Sequence, residues 1–584
     1  MAGIRSVSTP SVSPASPSWR AFPRQMIPSP RPTSCSCTCQ FLPLLPTSKP
    51  LIALPHSLLK PLPLHHVLEP QTEQNCTRRI EELQEITHKA LQGGSDPKVT
   101  MKLIDTVERL GLSHHFEEEI NVLLEQFSEF DASDDLFITA LRFRLLRHNG
   151  YPTCSDVFDK FIDVNGKFKE SLNDDTLGML SLYEASYLGA KGEEKLSEAQ
   201  RFTKTHLSTH SIRTITPQFK KHIAGALELP RHMRMVRLEA RNYIDEYSME
   251  RNCSSALLDL AKLDFNMVQS LHQKELEEIF RWWKQLGLVD KLFARDRPLE
   301  CFLWTVGIFP EPCHSTCRIE LTKTIAILLV IDDIFDTYGS LHDLVLFTMA
   351  IRRWDLGAME QLPEYMKICY MALYNTTNDI AFGVLKEQGR SIVPHLRRTW
   401  RDIIEAFLVE AKWFNWGHVP TLEEHLANAV ITGGTFMALV HAFFLMGHGI
   451  TKETIAMMEP YPKLFSCSGT ILRLWDDLGT ATEEQQRGDA ASSIECLMKE
   501  KNISSEDEGR NHVRQLIRSF WEELNSELMA PTALPLSTIK ASFNLSRTAQ
   551  VIYQHGDDHK VPSVKDHVQT LLFRPIGFGT KLHI

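Results

Sequence analysis

From about Arg78 to the end of the chain, apolar residues return every three to five positions, and no stretch alternates β-branched and polar residues. Ile80, Leu83, Ile86 and Leu91 fall close to one helix face, and similar spacing runs through Phe116–Phe127, Leu136–Leu146 and Leu177–Leu188. A period near 3.6 buries one stripe of a helix, whereas a period of two buries one face of a strand. Breaks such as His148-Asn149-Gly150-Tyr151-Pro152 combine a helix stop with a turn. The pattern predicts an all-α fold of many helices joined by short turns. At 584 residues the chain is too long for one hydrophobic core, since domains run to roughly 100–250 residues. A boundary is expected between about Asn252 and Gln273. No tryptophan lies between Trp19 and Trp282, and from there on tryptophan is common. That asymmetry suggests an aromatic-rich interior in the C-terminal half, although core packing alone accounts for most such positions.

The first acidic residue is Glu69, preceded by six bases, Arg5, Arg20, Arg24, Arg31, Lys49 and Lys60. Fourteen of the 30 prolines fall in the first 70 positions, and serine is abundant. Such a segment cannot pack a core and has the composition of an organelle transit peptide. The net charge of -10 argues against a nucleic-acid partner, which needs a basic footprint. It leaves room for an anionic substrate where a site is locally basic or recruits metal. No unbroken run of about 18 apolar residues suggests a membrane span. Nine of the 12 cysteines are scattered without CxxC spacing and read as reduced thiols; Cys35, Cys37 and Cys39 could bind metal but lie in the expected transit segment.

The apolar run Ile325–Ile331 leads straight into Asp332-Asp333-Ile334-Phe335-Asp336. A core helix that ends in carboxylates points them toward a cavity. Asp332 and Asp336, spaced i, i+4, would project from one helix face about 6 Å apart. Three carboxylates on one helix repel one another unless a cation neutralises them, and oxygen donors suit Mg²⁺ or Mn²⁺. A second cluster has Asp476, Thr480 and Glu484 spaced i, i+4, i+8, an oxygen stripe over two turns. Arg473 stands three residues before Asp476 and could grip a phosphate beside a metal. Arg295-Asp296-Arg297, 37 residues before Asp332, could clamp a diphosphate from a loop. Together these groups fit metal-assisted departure of diphosphate from an allylic carbon. The resulting carbocation needs a water-poor, aromatic-lined cavity, for which Trp304, Phe436 and Tyr553 are candidate walls.

At these residues the chain resembles plant class I terpene synthases. DDIFDTYG (Asp332–Gly339) is similar to the family's DDxxD motif, DDLGTATEE (Asp476–Glu484) to its second metal motif, and the arginine triplet and LRLW (Leu472–Trp475) to its diphosphate-binding elements. LRFRLLRHNGYPTCSDVF (Leu141–Phe158), LSLYEASYLG (Leu180–Gly189), RWWKQLGL (Arg281–Leu288) and IYQHGDDH (Ile552–His559) extend the likeness from about Arg78 to the C-terminus. The resemblance implies two α-domains, a catalytically idle N-terminal barrel over 69–265 and a catalytic bundle over 266–584, behind a plastid transit peptide at 1–68. It implies that Asp332 and Asp336 bind metal with Asp333 supporting, and that Asp476, Thr480 and Glu484 hold a third ion. Arg295, Arg297 and Arg473 would take the diphosphate, with Trp304 and Tyr553 contacting substrate. It implies three Mg²⁺ or Mn²⁺ per site, a prenyl diphosphate substrate, a monomer and the plastid stroma. A chain-elongating prenyltransferase normally carries two DDxxD motifs, whereas the second site here has Thr480 and Glu484. No DxDD motif appears, so protonation-initiated chemistry is not implied.

Two departures from the family pattern matter, one for the product and one for a diphosphate contact. Many plastid relatives making cyclic products carry RRx8W near the mature N-terminus; here Arg78-Arg79 is followed by His88 at the tryptophan position. That resembles the g-type branch and implies an acyclic tertiary alcohol, linalool from geranyl diphosphate and nerolidol from farnesyl diphosphate. The alternative is an acyclic or cyclic olefin, or geraniol. Ser492 stands where some relatives place a diphosphate-binding lysine. Gly433-Gly434, inside the largely apolar stretch Ala427–Leu445, should loosen a helix beside the cavity.

Overall fold

A computed structural model describes residues 70–94, 96–130, 134–209, 216–291, 295–487, 491–554 and 564–578, without the side chains of 70–73, 209, 290–291 and 482–487. The transit segment, the Cys35–Cys39 cluster and the side chain of Glu484 therefore lie outside the described residues. The described residues are helical, as expected, and their one β pairing is an isolated antiparallel bridge between Ile162 and Phe168. They belong to one compact unit, Leu51–Ile584.

Local chemistry sets the helix ends. Asp135 caps Leu136–His148 by accepting from the Ile138 N–H at 3.0 Å, and Thr421 and Glu424 form a reciprocal capping box at the start of Leu422–Thr432. Each such cap contributes about 1 kcal/mol. Ser254 caps Ser255–Leu286, a helix of 32 residues. The expected boundary at 265/266 falls inside this uninterrupted helix.

Three large cores organise the bundle. One joins the N-terminal helices to Ser255–Leu286, Pro298–Ile308 and the C-terminal residues 564–576, through Leu83, Leu145, Ile279, Phe302 and Leu572. A second, with Leu439, Phe443, Ile471 and Trp521, and a third, with Ile331, Phe347, Tyr370 and Trp400, lie in the C-terminal half. Ile325 and Ile431 pack against both of these, so the helices carrying them run between the two cores. The Ser255–Leu286 helix is tied to Ser315–Asp333 by a buried bidentate pair, Arg318 to Glu275 at 2.9 and 2.7 Å.

The stretch Leu422–Met446 corrects the membrane expectation in part. By length and composition its 25 residues could cross a membrane, with mean hydropathy 1.8, yet 83% of that window is buried inside the bundle. It is also two helices, Leu422–Thr432 and Thr435–Met446, broken at the glycine pair.

Candidate active site

The apolar run Ile325–Ile331 forms the last turns of the Ser315–Asp333 helix, which then changes pitch. Residues Ile334–Tyr338 wind as a π-turn, closed by the Gly339 N–H on the Ile334 carbonyl five residues back at 2.7 Å. A Cβ at position 339 would lie 2.9 Å from that carbonyl and 2.5 Å from Leu344, so glycine permits the closure. The regular i, i+4 geometry expected for Asp332 and Asp336 is thus replaced. Asp332 lies in the last turn of the α-helix, which ends at Asp333, and Asp336 stands exposed on the wider turn. Ile334 and Phe335 remain buried, Phe335 against Phe347 and Phe407. Pitch changes of this kind recur at functional sites.

The adjacent aspartates divide their work. Asp333 points inward and is gripped by Arg295, through Nε at 2.9 Å and through Nη2. The same Nη2 is 3.7 Å from Asp332. Asp296 is pinned by the Trp283 indole N–H at 3.0 Å, and Arg297 pairs with Glu300 at 3.4 Å. The arginine loop therefore holds Arg295 against the acidic helix and Arg297 at the head of Pro298–Ile308.

The second acidic helix, Lys463–Arg487, repeats the division. Asp477 is fully buried and takes hydrogen bonds from Arg473 Nε at 2.6 Å and the Ser493 N–H at 2.7 Å, with His425 Nε2 at 3.2 Å. Burial pushes its carboxyl up, but Arg473, His425 and Ser493 outweigh burial and hold it well below the usual carboxylate range. Asp476 is the outer member, 3.2 Å from Arg473 Nη1 and hydrogen-bonded by the Tyr553 phenol. The Thr480 hydroxyl donates to the Asp476 carbonyl at 2.8 Å, so its lone pairs stay available as a ligand. Glu484 lies one turn further along the same helix. Ser492 caps Ser493–Lys501, so the helix N-terminus it starts is aimed at Asp477.

Burial lifts Asp332 to about 7 against the pull of Arg295, with Asp333, Glu410 and Asp476 adding repulsion. Burial likewise raises Asp476 and Glu410, both opposed by Arg473. Asp476 and Glu410 come from helices distant in sequence, so the two acidic clusters stand within electrostatic reach across the bundle. Glu410, on Val393–Trp416, accepts from Asn428 at 3.1 Å and Thr432 at 2.9 Å. Trp304 and Tyr553 lie together, ring centroids 6.0 Å apart, with Tyr553 against Gly479 of the second acidic helix. Phe436 instead stacks on Tyr461 at 4.3 Å, a core contact that occupies its face.

Two family models match the chain, the terpene synthase N-terminal domain over residues 56–227 and the terpene synthase metal-binding domain over 284–523. The chain belongs to the terpene synthase family. It is 68% identical over 516 residues to a probable terpene synthase 11 of Ricinus communis, covering 88% of this chain and 90% of the relative. It is 51% identical to the chloroplastic geraniol synthase of Ocimum basilicum, covering 93% and 94%, and 49% identical to the chloroplastic R-linalool synthase of that plant, covering 94% of each. Among solved structures it is similar to grey poplar isoprene synthase in complex with three Mg²⁺ ions and dimethylallyl-S-thiolodiphosphate. That match has 38% identity and a TM-score of 0.81, covering 86% of this chain and 97% of the other. Limonene synthase with 2-fluorolinalyl diphosphate is also 38% identical, with a TM-score of 0.82, covering 86% and 95%. This terpene synthase thus has the all-α class I fold that its sequence suggests.

The donors present fit a hard divalent cation. Asp332, Asp336, Asp476 and Thr480 offer oxygen alone, which suits Mg²⁺ or Mn²⁺. Asp333 and Asp477 are already committed to Arg295 and Arg473. Burial of Asp332, with repulsion from Asp333, Glu410 and Asp476 added, meanwhile outweighs the pull of Arg295. Glu410, His425 and Ser493 had no signal in the sequence, since each reaches the site from a different helix.

Proposed function

We propose that this chain is a plastid monoterpene synthase that ionises geranyl diphosphate and captures the allylic cation with water, giving linalool. The observation that carries this reading is the pairing of the acidic helices, with Asp332 and Asp476 in one field and Arg295 and Arg473 beside them. Bound Mg²⁺ or Mn²⁺, three ions in this reading, supplies the positive charge that lets diphosphate leave. Asp332, Asp336, Asp476, Thr480 and Glu484 hold the ions, while Asp333 and Asp477 orient the arginines. Arg295, Arg297 and Arg473 pair with the departing diphosphate. Trp304 and Tyr553 offer π-faces to the cation.

Water attack at the tertiary carbon needs no rotation about the allylic double bond. Cyclisation needs that rotation and a closed lid that keeps water out meanwhile. In place of the RRx8W tryptophan, His88 pairs with Glu119 at 2.7 Å and packs on Phe116, while Arg78 and Arg79 pair with Glu82. These contacts support an acyclic product in the manner of the g-type branch, as does similarity to linalool and geraniol synthases. Farnesyl diphosphate would give nerolidol. The chloroplastic names of relatives and the acid-free leader support removal of residues 1–68 in the plastid. The mature protein would be a monomer of an idle 69–265 domain and a catalytic 266–584 domain.

Chiral gas chromatography of products from geranyl diphosphate, using the chain from Glu69 with Mg²⁺, tests the reading. Linalool should dominate, and alanine at Asp332, Asp336, Asp476 or Glu484 should cut turnover by orders of magnitude. Ring products would overturn the product assignment alone. Full turnover in a chelator would overturn the metal assignment.

A further inference from the structure

A cavity of about 130 Å³ lies between the N-terminal helices and the Leu536–Tyr553 helix, and none of the acidic-site residues lines it. Its wall carries six permanent cations, Arg144, Arg231, Arg234, Arg237, Lys540 and Arg547. Four of them are neutralised: Arg144 by Asp105 at 2.7 Å, Arg231 by Asp105 and by Glu108 at 3.4 Å, Arg234 by Glu239 at 2.7 Å and Arg237 by Asp264 at 3.4 Å. The other two are not. Arg547 is 5% exposed and donates to neutral oxygens, the His232 carbonyl at 2.7 Å and the Asn544 side chain at 2.8 Å. The wall also carries three carboxylates, Glu108 and Glu239, held by Arg231 and Arg234, and Glu311, and among the described residues none of them pairs with Arg547 or with Lys540. Lys540 precedes Arg547 by seven residues, so both fall on one face of the same helix.

An unpaired buried guanidinium is costly, and proteins ordinarily give such a charge a counter-ion. Burial, with repulsion from Arg231, lowers the Arg547 guanidinium to about 10. His148 lines the same cavity; burial, then Arg547, Lys540 and Arg231, push it well below its ordinary value, so it stays neutral and can donate a hydrogen bond. The cavity volume equals that of about four water molecules.

We propose that this cavity is an anion site that takes inorganic phosphate or the phosphoryl end of a small phosphate ester, with Arg547 and Lys540 as its charge partners. Set against Glu311, the one lining carboxylate without an ion pair among the described residues, these two cations leave the wall net positive, which suits a phosphate oxyanion. Charge-assisted hydrogen bonds from a guanidinium fork give the geometry such an oxyanion prefers. The site is independent of the diphosphate chemistry proposed above and uses none of its residues.

Titration of inorganic phosphate into the full chain tests this, without divalent metal and at constant ionic strength held with chloride. Calorimetry should show one phosphate per chain, with a melting temperature that rises with phosphate concentration. Lys540→Gln should weaken binding about tenfold or more, whereas Lys540→Arg should bind nearly as the parent does. Arg297→Gln, in the arginine loop of the acidic site, should bind as the parent does. Lys540 is partly exposed and makes no hydrogen bond among the described residues, so its variants test the site even where Arg547→Gln fails to fold. Glucose 6-phosphate binding at the same stoichiometry would assign a phosphate ester as the ligand, and binding of phosphate alone would assign the free ion. No saturable binding at tens of millimolar phosphate would overturn the proposal. So would unchanged affinity in Lys540→Gln, or loss of binding in Arg297→Gln.

Discussion

Arg473 and Asp477 form an ion pair one turn apart on a single helix, Nε to Oδ1 at 2.6 Å, with the carboxylate wholly buried. Because His425 and the Ser493 N–H share that carboxylate, Asp477 binds three helices together. Asp477→Asn should lower stability by about 3–5 kcal/mol, the cost of leaving one partner of a buried pair uncompensated. Asp476, whose charge is opposed by burial and by Asp477, should respond differently. Asp476→Asn should melt at or above the parent temperature while losing turnover. Thermal unfolding of both variants without metal decides, and equal melting temperatures would show that the two aspartates are not divided in this way.

Glu275→Gln should be equally damaging far from the chemistry. Arg318 is 0% exposed and Glu275 2%, so the substitution strands a buried guanidinium. The expected loss is about 3–5 kcal/mol in urea unfolding. Replacing both partners by apolar residues, Glu275→Leu with Arg318→Met, should cost less than the single change. A double variant as unstable as the sum of the singles would contradict this.

Gly434→Ala should loosen the site. Gly434 sits at φ +74°, and a Cβ there would lie 2.8 Å from Leu328 Cδ2, one turn before Asp332. The left-handed backbone alone costs about 1–2 kcal/mol for a residue with a Cβ. Lower melting temperature with an altered product ratio from geranyl diphosphate is the expected outcome. An unchanged ratio at full turnover would mean that the break does not shape the cavity.

Acid should destabilise the fold through His441. Its ring is 1% exposed, Nδ1 lies 2.7 Å from the Met437 carbonyl, and Nε2 has no partner among the described residues. Burial lowers its pKa to about 4. The unfolded chain therefore binds this proton first as pH falls. Its stabilising contribution is complete above about pH 6.5 and shrinks by about 1.4 kcal/mol per unit toward pH 4. His441→Met should show a shallower loss of stability between pH 6.5 and 4.5 than the parent, measured by denaturant unfolding. Identical slopes would show that this histidine does not titrate between those limits.

Much of the site was legible because its signals are local. Helical spacing, the run Ile325–Ile331 ending in aspartates and the Asp476–Thr480 stripe each need only a few neighbouring residues to be read. The glycine pair at 433–434 likewise announced a helix break, and the structure has one there. Glu410 was invisible because an acidic residue on an amphipathic helix normally faces water. His425 acts on Asp477 from 52 residues away, and nothing around either residue announces that contact.

The sequence by itself determined the all-α class, the two acidic helices and Arg473 beside the second of them, since each follows from residue type and a spacing of two turns or less. Only the tertiary structure decided which aspartate of each adjacent pair is buried against an arginine and which is left less enclosed. Asp333 and Asp477 are the buried members, Asp332 and Asp476 the half-buried ones. It also decided that Asp336 would stand on a π-turn, through the close approach of Gly339 to Ile334. Successive residues on a helix point about 100° apart. Which of those directions meets a guanidinium, and which meets the field of another carboxylate, is set by the helices packed around them.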